Sequence, residues 1–167
     1  MITGVLDQRS VLATFALCAL LLGALGWLLA AWRGWGRTPA VLAGIGLAFA
    51  FSVTQARHPL PSGDLDFTGC TLTSLGASND LLLNMVLLVP FGLFTSLAAR
   101  RIVLPALCCL AASAVFETLQ GLFGTGFCVA QDAAANSVGG LCAAVVGGLI
   151  VRASRRTRDL RAQRGSS

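Results

Sequence analysis

The 167-residue sequence contains no lysine, a single histidine and little charge of either sign. Charged residues make up 11% of the chain and hydrophobic ones 56%, where soluble domains carry roughly 25% charged residues. A water-soluble fold of this composition would leave too much hydrocarbon facing solvent, so the bilayer is the fitting medium. With one histidine and no Cys or His set at metal-ligand spacing, no metal is assigned. No nucleophile motif is present either, so no catalytic residue and no cofactor are assigned. Basic residues without interleaved aromatics exclude the usual nucleic-acid signature.

What is present in abundance is apolar sequence. A helix needs about 20 mostly apolar residues to cross the hydrocarbon core, and five stretches qualify: Val11–Trp32, Pro39–Ala56, Leu81–Ala99, Ile102–Leu122 and Ala133–Val151. Each is apolar all round, as a helix surrounded by lipid or other helices should be. The leading segment "MITGVLDQRS" has no net charge, and arginines follow the first apolar run instead of preceding it, so that run reads as a retained span and not a signal peptide. The expected fold is all-α: a polytopic membrane protein of five transmembrane helices.

The arginines give the orientation. Arg33 and Arg37 lie between spans one and two, Arg100 and Arg101 between spans three and four, and Arg152, Arg155, Arg156, Arg158, Arg161 and Arg164 in the tail. These ten fall on one side, leaving Arg9 and Arg57 on the other. The positive-inside rule then predicts a cytoplasmic C-terminus and an outside N-terminus in the cell membrane. Trp27, Trp32 and Trp35 cluster where an interfacial belt on the arginine side would put them. The tail reads as a topology anchor attracted to anionic lipid, each charge near the surface worth about 1 kcal/mol.

The expected organisation is two N-terminal helices over 1–60, a region of one outer loop and three helices over 61–152, and an Arg-rich tail over 153–167. Of the six cysteines, Cys18, Cys108, Cys109 and Cys142 fall within spans as small apolar fillers. Cys70 and Cys128 are the two in the outer loops, where oxidising conditions allow a disulfide. Two free thiols or an intermolecular bridge are the alternatives. His58, beside Pro59, reads as an interfacial residue.

The informative residues are the polar ones inside the spans. "NDLLLNMVLL" and "QDAAANSVGG" repeat an amide, then Asp, then Asn four residues on. Asp80 and Asn84 therefore share one helix face, as do Asp132 and Asn136. The aspartates suit helix N-termini as caps and dipole partners. Capping does not account for an Asn one turn deeper. Glu117, with Gln120 three residues on and Ser113 four back, lies about 22 Å along the fourth span, in the same leaflet as the two Asp/Asn steps. An acid at that depth should face the protein interior or a wet cavity. Three carboxylates near one another cannot all stay ionised cheaply, so Glu117 is expected to be protonated or hydrogen-bonded to Gln120, Asn84 or Asn136. Gly139, Gly140, Ala143, Ala144, Gly147 and Gly148 permit close helix approach. Pro90 predicts a kink between Asn84 and Gly92, which could widen the outer half into a pocket.

Two blocks of this pattern resemble the VanZ-like membrane family: Asp-x3-Asn-x5-Pro-x-Gly in "DLLLNMVLLVPFG", and Glu-x2-Gln followed by Asp-x3-Asn-x2-Gly in "ETLQGLFGTGFCVAQDAAANSVGG". The matching positions are Asp80, Asn84, Pro90, Gly92, Glu117, Gln120, Asp132, Asn136 and Gly139. Family members usually carry an arginine where Gly126 stands, so the acidic cluster lacks the counter-charge the resemblance leads one to expect. The family is associated with resistance to the glycopeptide teicoplanin. That implies an outward-facing polar intramembrane site contacting a lipid-linked envelope precursor or a glycopeptide, with the lipid bilayer itself as the constant partner. Two other functions stay open on sequence: a membrane enzyme using Glu117 with Asp80 or Asp132 as acid and base, and a small proton-coupled transporter. The lysine-free, Ala- and Arg-rich composition suggests a high-GC bacterium.

Overall fold

The computed structural model describes residues 9–56, 79–123 and 129–164, with backbone alone for Asn79 and Asp80. The first helices are α1 (Arg9–Arg33) and α2 (Arg37–Gln55), and a long span follows as two pieces, α3 (Asn79–Leu87) and α4 (Val89–Ala99). The chain then forms α5 (Val103–Phe123) and α6 (Ala130–Arg164). Five helical segments, α3 and α4 counted together, are long and apolar enough to cross a membrane. They coincide with the five expected stretches to within a few residues at each end, α6 apart.

The break between α3 and α4 has the expected cause. Pro90 sits in the first turn of α4, and without an N–H it cannot continue the ladder from α3. The helix restarts with the Gly92 N–H donating to the Leu88 carbonyl at 2.9 Å. The kink does not widen the bundle there, because Leu88 is fully buried.

Connectivity makes α3, α4 and α6 parallel, with α5 antiparallel between them, and α6 packs on all three. Close approach depends on missing side chains. A Cβ on Gly139 would overlap the Met85 carbonyl of α3, and one on Gly140 would meet Cys109 of α5 at under 3 Å. Hydroxyls complete the contact: Ser96 of α4 donates to the Ala144 carbonyl at 2.9 Å, and Ser113 of α5 to the Ala133 carbonyl at 2.7 Å. Cys109 is fully buried at this three-helix contact, whereas Cys142 is exposed on the outer face of α6.

The α1–α2 pair joins this core through α2, which packs on α4 and α5. At one end the Gly36 N–H donates to the Ala98 carbonyl at 3.2 Å. At the other, Gln55 Nε2 donates to the Phe116 carbonyl of α5 at 3.0 Å. α1 leans chiefly on α2, with only 11% of its most apolar window buried, as for a helix facing lipid over most of its surface.

The two ends of the bundle differ sharply. Arg33, Arg37, Arg100 and Arg101 border the turns at one end, and α6 emerges there. Arg33 stacks 4.5 Å from the Trp32 ring centroid and Arg37 5.3 Å from that of Trp27. α6 runs unbroken for 35 residues, through Arg164, about 52 Å of helix against a hydrocarbon core of about 30 Å. No Gly or Pro interrupts 149–164, and its Ala, Arg, Leu and Gln residues are good helix formers. Glu117 marks the opposite end.

Candidate functional site

At the Glu117 end, α5 presents one side chain per turn to α6. Cys109, Ser113 and Glu117 are spaced four apart, so they form a single stripe. All three are buried, Glu117 to 5% exposure. The acid does not face lipid. Its Oε2 accepts the Val129 N–H at 3.2 Å, immediately before α6 begins. Glu117 therefore holds a backbone donor at the α6 N-terminus, where a carboxylate also suits the helix dipole. Asp132 lies in the first turn of α6.

That bond corrects the sequence-based expectation. Glu117 takes its hydrogen bond from backbone, not from the Gln120, Asn84 or Asn136 amides. Gln120 is half-buried on the neighbouring face, and Asn84 is half-buried on α3. The Cys70–Cys128 pairing, Gly126, His58 and the Asp80 side chain lie outside the described residues.

Asn136 is the residue that the bundle leaves in the strangest position. It is 1% exposed, and neither Oδ1 nor Nδ2 has a hydrogen-bond partner. Its orientation follows from Gly140 on the same face one turn on, where an added Cβ would meet both Leu88 and Cys109. That face looks into the seam between the broken α3–α4 span and α5. The sequence repeat has a structural counterpart here. Asn84 precedes Asn136 by the same number of residues as Leu88 precedes Gly140, and those two face each other across parallel helices so closely that a Cβ on Gly140 would lie 3.3 Å from that of Leu88. The two asparagines thus lie at one depth, Asn136 fully enclosed.

A separate cavity of about 250 Å³ opens on the other side of α5, lined by Thr14, Phe51, Gln55, Ala56, Leu119 and Phe123. Its walls are mostly apolar. This groove separates the N-terminal helix pair from α5, at the Glu117 end of the bundle. Sequence reasoning passed over Gln55, although an amide closing the apolar run "AFAFSVTQ" was a visible signal.

These features define a class: an α-helical membrane protein whose last three spans are stitched by glycine contacts and serine bonds around a buried acid and amide. The matching family model, VanZ/LLP1, covers residues 64–151, over half the chain. The chain belongs to that family, and α3 to α6 up to the end of the apolar stretch are its family region. No curated protein and no solved structure matches it.

Proposed function

We propose that this family member binds the polar portion of a lipid-linked envelope precursor from the leaflet at the Glu117 end, the same site accounting for any contact with a glycopeptide. Ten arginines at the opposite end support a cytoplasmic assignment for that end by the positive-inside rule. The Glu117 end then faces outward, and the host is the cell membrane. The reading rests on Asn136. An amide with both polar atoms unpartnered costs stability wherever water is excluded, and such groups persist where a function uses them. The break at Leu88–Pro90 supplies a hinge about which α3 can swing to admit a polar group to the Asn84–Asn136 level. The apolar groove along α5 offers a place for the attached hydrocarbon chain.

The test separates binding from folding. Asn136→Leu removes the orphaned amide and keeps the volume, so the bundle should be as stable as before or gain about 1 kcal/mol. Binding of a purified lipid-linked precursor should fall at least tenfold, and more in Glu117→Gln/Asp132→Asn. Glycopeptide susceptibility of cells expressing each variant gives the second readout. A well-folded Asn136→Leu protein with full precursor binding sinks the reading and leaves the polar residues as structural ties alone.

A further inference from the structure

The opposite end of the bundle carries a second feature, independent of the seam. Arg100 closes α4 in the left-handed conformation, φ 54, the only non-glycine residue with positive φ among those described. Glycine is the usual occupant of such a position because it has no Cβ to crowd the carbonyl. A bulky cation kept there points to a use for the guanidinium. Arg101 follows, then Ile102, whose side chain lies so close to Gly148 of α6 that any Cβ there would overlap it. The Arg100–Arg101 turn is thereby pinned beside α6. Arg152 and Arg155 follow Gly148 by four and seven residues, so they continue the same face. The four arginines are exposed, and none is ion-paired among the described residues.

Depth decides what they meet. Arg152 and Arg155 lie about 6 and 10 Å beyond Gly148 along the helix, just past Ile150 and Val151, where the continuous apolar run ends. That is headgroup level. Arg158, Arg161 and Arg164 stand about 10 to 20 Å beyond Val151, at or past the screening length of about 8–10 Å. Guanidinium forks match phosphate oxygens in pairs. We infer that the Arg100–Arg101 turn and the Arg152/Arg155 face of α6 form a binding site for the phosphate of an anionic lipid headgroup.

The experiment compares two triple variants of equal charge loss in nanodiscs of phosphatidylcholine, with or without phosphatidylglycerol, reading the thermal unfolding midpoint. Phosphatidylglycerol should raise the midpoint of the unmodified protein and of Arg158→Gln/Arg161→Gln/Arg164→Gln. Arg100→Gln/Arg152→Gln/Arg155→Gln should lose that rise. Equal loss in both triples would reduce the effect to diffuse charge, and no loss in either would remove the site. Arg100→Gly guards against misfolding: it should match the parent in phosphatidylcholine while gaining less from phosphatidylglycerol. Equal protection of the detergent-solubilised protein by inorganic phosphate would assign the site to a free anion and overturn the headgroup claim.

Discussion

The N-terminal helix pair and the family region are both greasy, yet they are held by different means. α1 contacts little but α2, and most of its surface is apolar and exposed. Between α4, α5 and α6 the contacts are backbone-close, with serine hydroxyls reaching carbonyls on the neighbouring helix. Lipid tails are as apolar as leucine, so apolar surface alone cannot hold helices together in a bilayer. Backbone approach does not distinguish the two regions, since a Cβ on Gly26 would overlap the Ala40 carbonyl and one on Gly44 the Leu22 carbonyl; the bonds from buried serines across α4, α5 and α6 do. Among the described residues, the buried acid and amide lie in the family region.

Gly139 is where the family region can be opened with one methyl. A Cβ there would occupy the space of the Met85 carbonyl, so Gly139→Ala must part α3 from α6. We expect a loss of 3 kcal/mol or more in SDS-titrated unfolding. In α1, a Cβ on Gly23 would sit 3.7 Å from Val41, an ordinary contact. Gly23→Ala should be neutral or stabilise by up to about 1 kcal/mol through helix propensity. Equal losses at both positions would mean that Gly23 sits in a contact as tight as that of Gly139.

Much of this was legible before any coordinates, for reasons that can be named. Span positions follow from the cost of burying charge in lipid, and the break follows from the missing N–H of Pro90. The equal depth of Asn84 and Asn136 follows from a repeat laid along two parallel spans. Glu117 shows the limit. That it faces inward could be argued from desolvation alone, but its partner is the Val129 N–H, and backbone donors carry no sequence signature. The reach of α6 through Arg164 was hidden likewise, because an apolar run marks where a helix enters lipid and not where helical structure stops. The groove along α5 depends on how α2 leans, which no short-range pattern encodes.

The serine ties sharpen the comparison at smaller scale. Ser96→Ala and Ser113→Ala each remove one interhelical hydrogen bond and leave the acceptor carbonyl with its own helical donor. Such bonds average about 0.6 kcal/mol in membranes and reach about 1.7. Because the two hydroxyls approach α6 from different helices, the double variant should lose the sum of the single losses. A double loss well below the sum would show that the serines share one relaxation and that glycine packing, not hydroxyl bonding, carries the contact.

The smallest expected effect concerns a side-chain hydrogen bond between the regions at the Glu117 end. Gln55→Leu deletes the bond to the Phe116 carbonyl, 3.0 Å in length, and fills the position with a side chain of similar size. About 0.6 kcal/mol of global stability should go with it. The informative readout is local. Amide hydrogen exchange should accelerate at the end of α2, around Val53 and Thr54, while the buried α6 segment from Asn136 to Gly148 keeps its protection, as expected if the two regions open separately. Exchange that quickens equally in α6 would show the helix pair and the family region unfolding as one unit. The groove between them would then be a fixed cleft, and not a joint that can part without disturbing the seam.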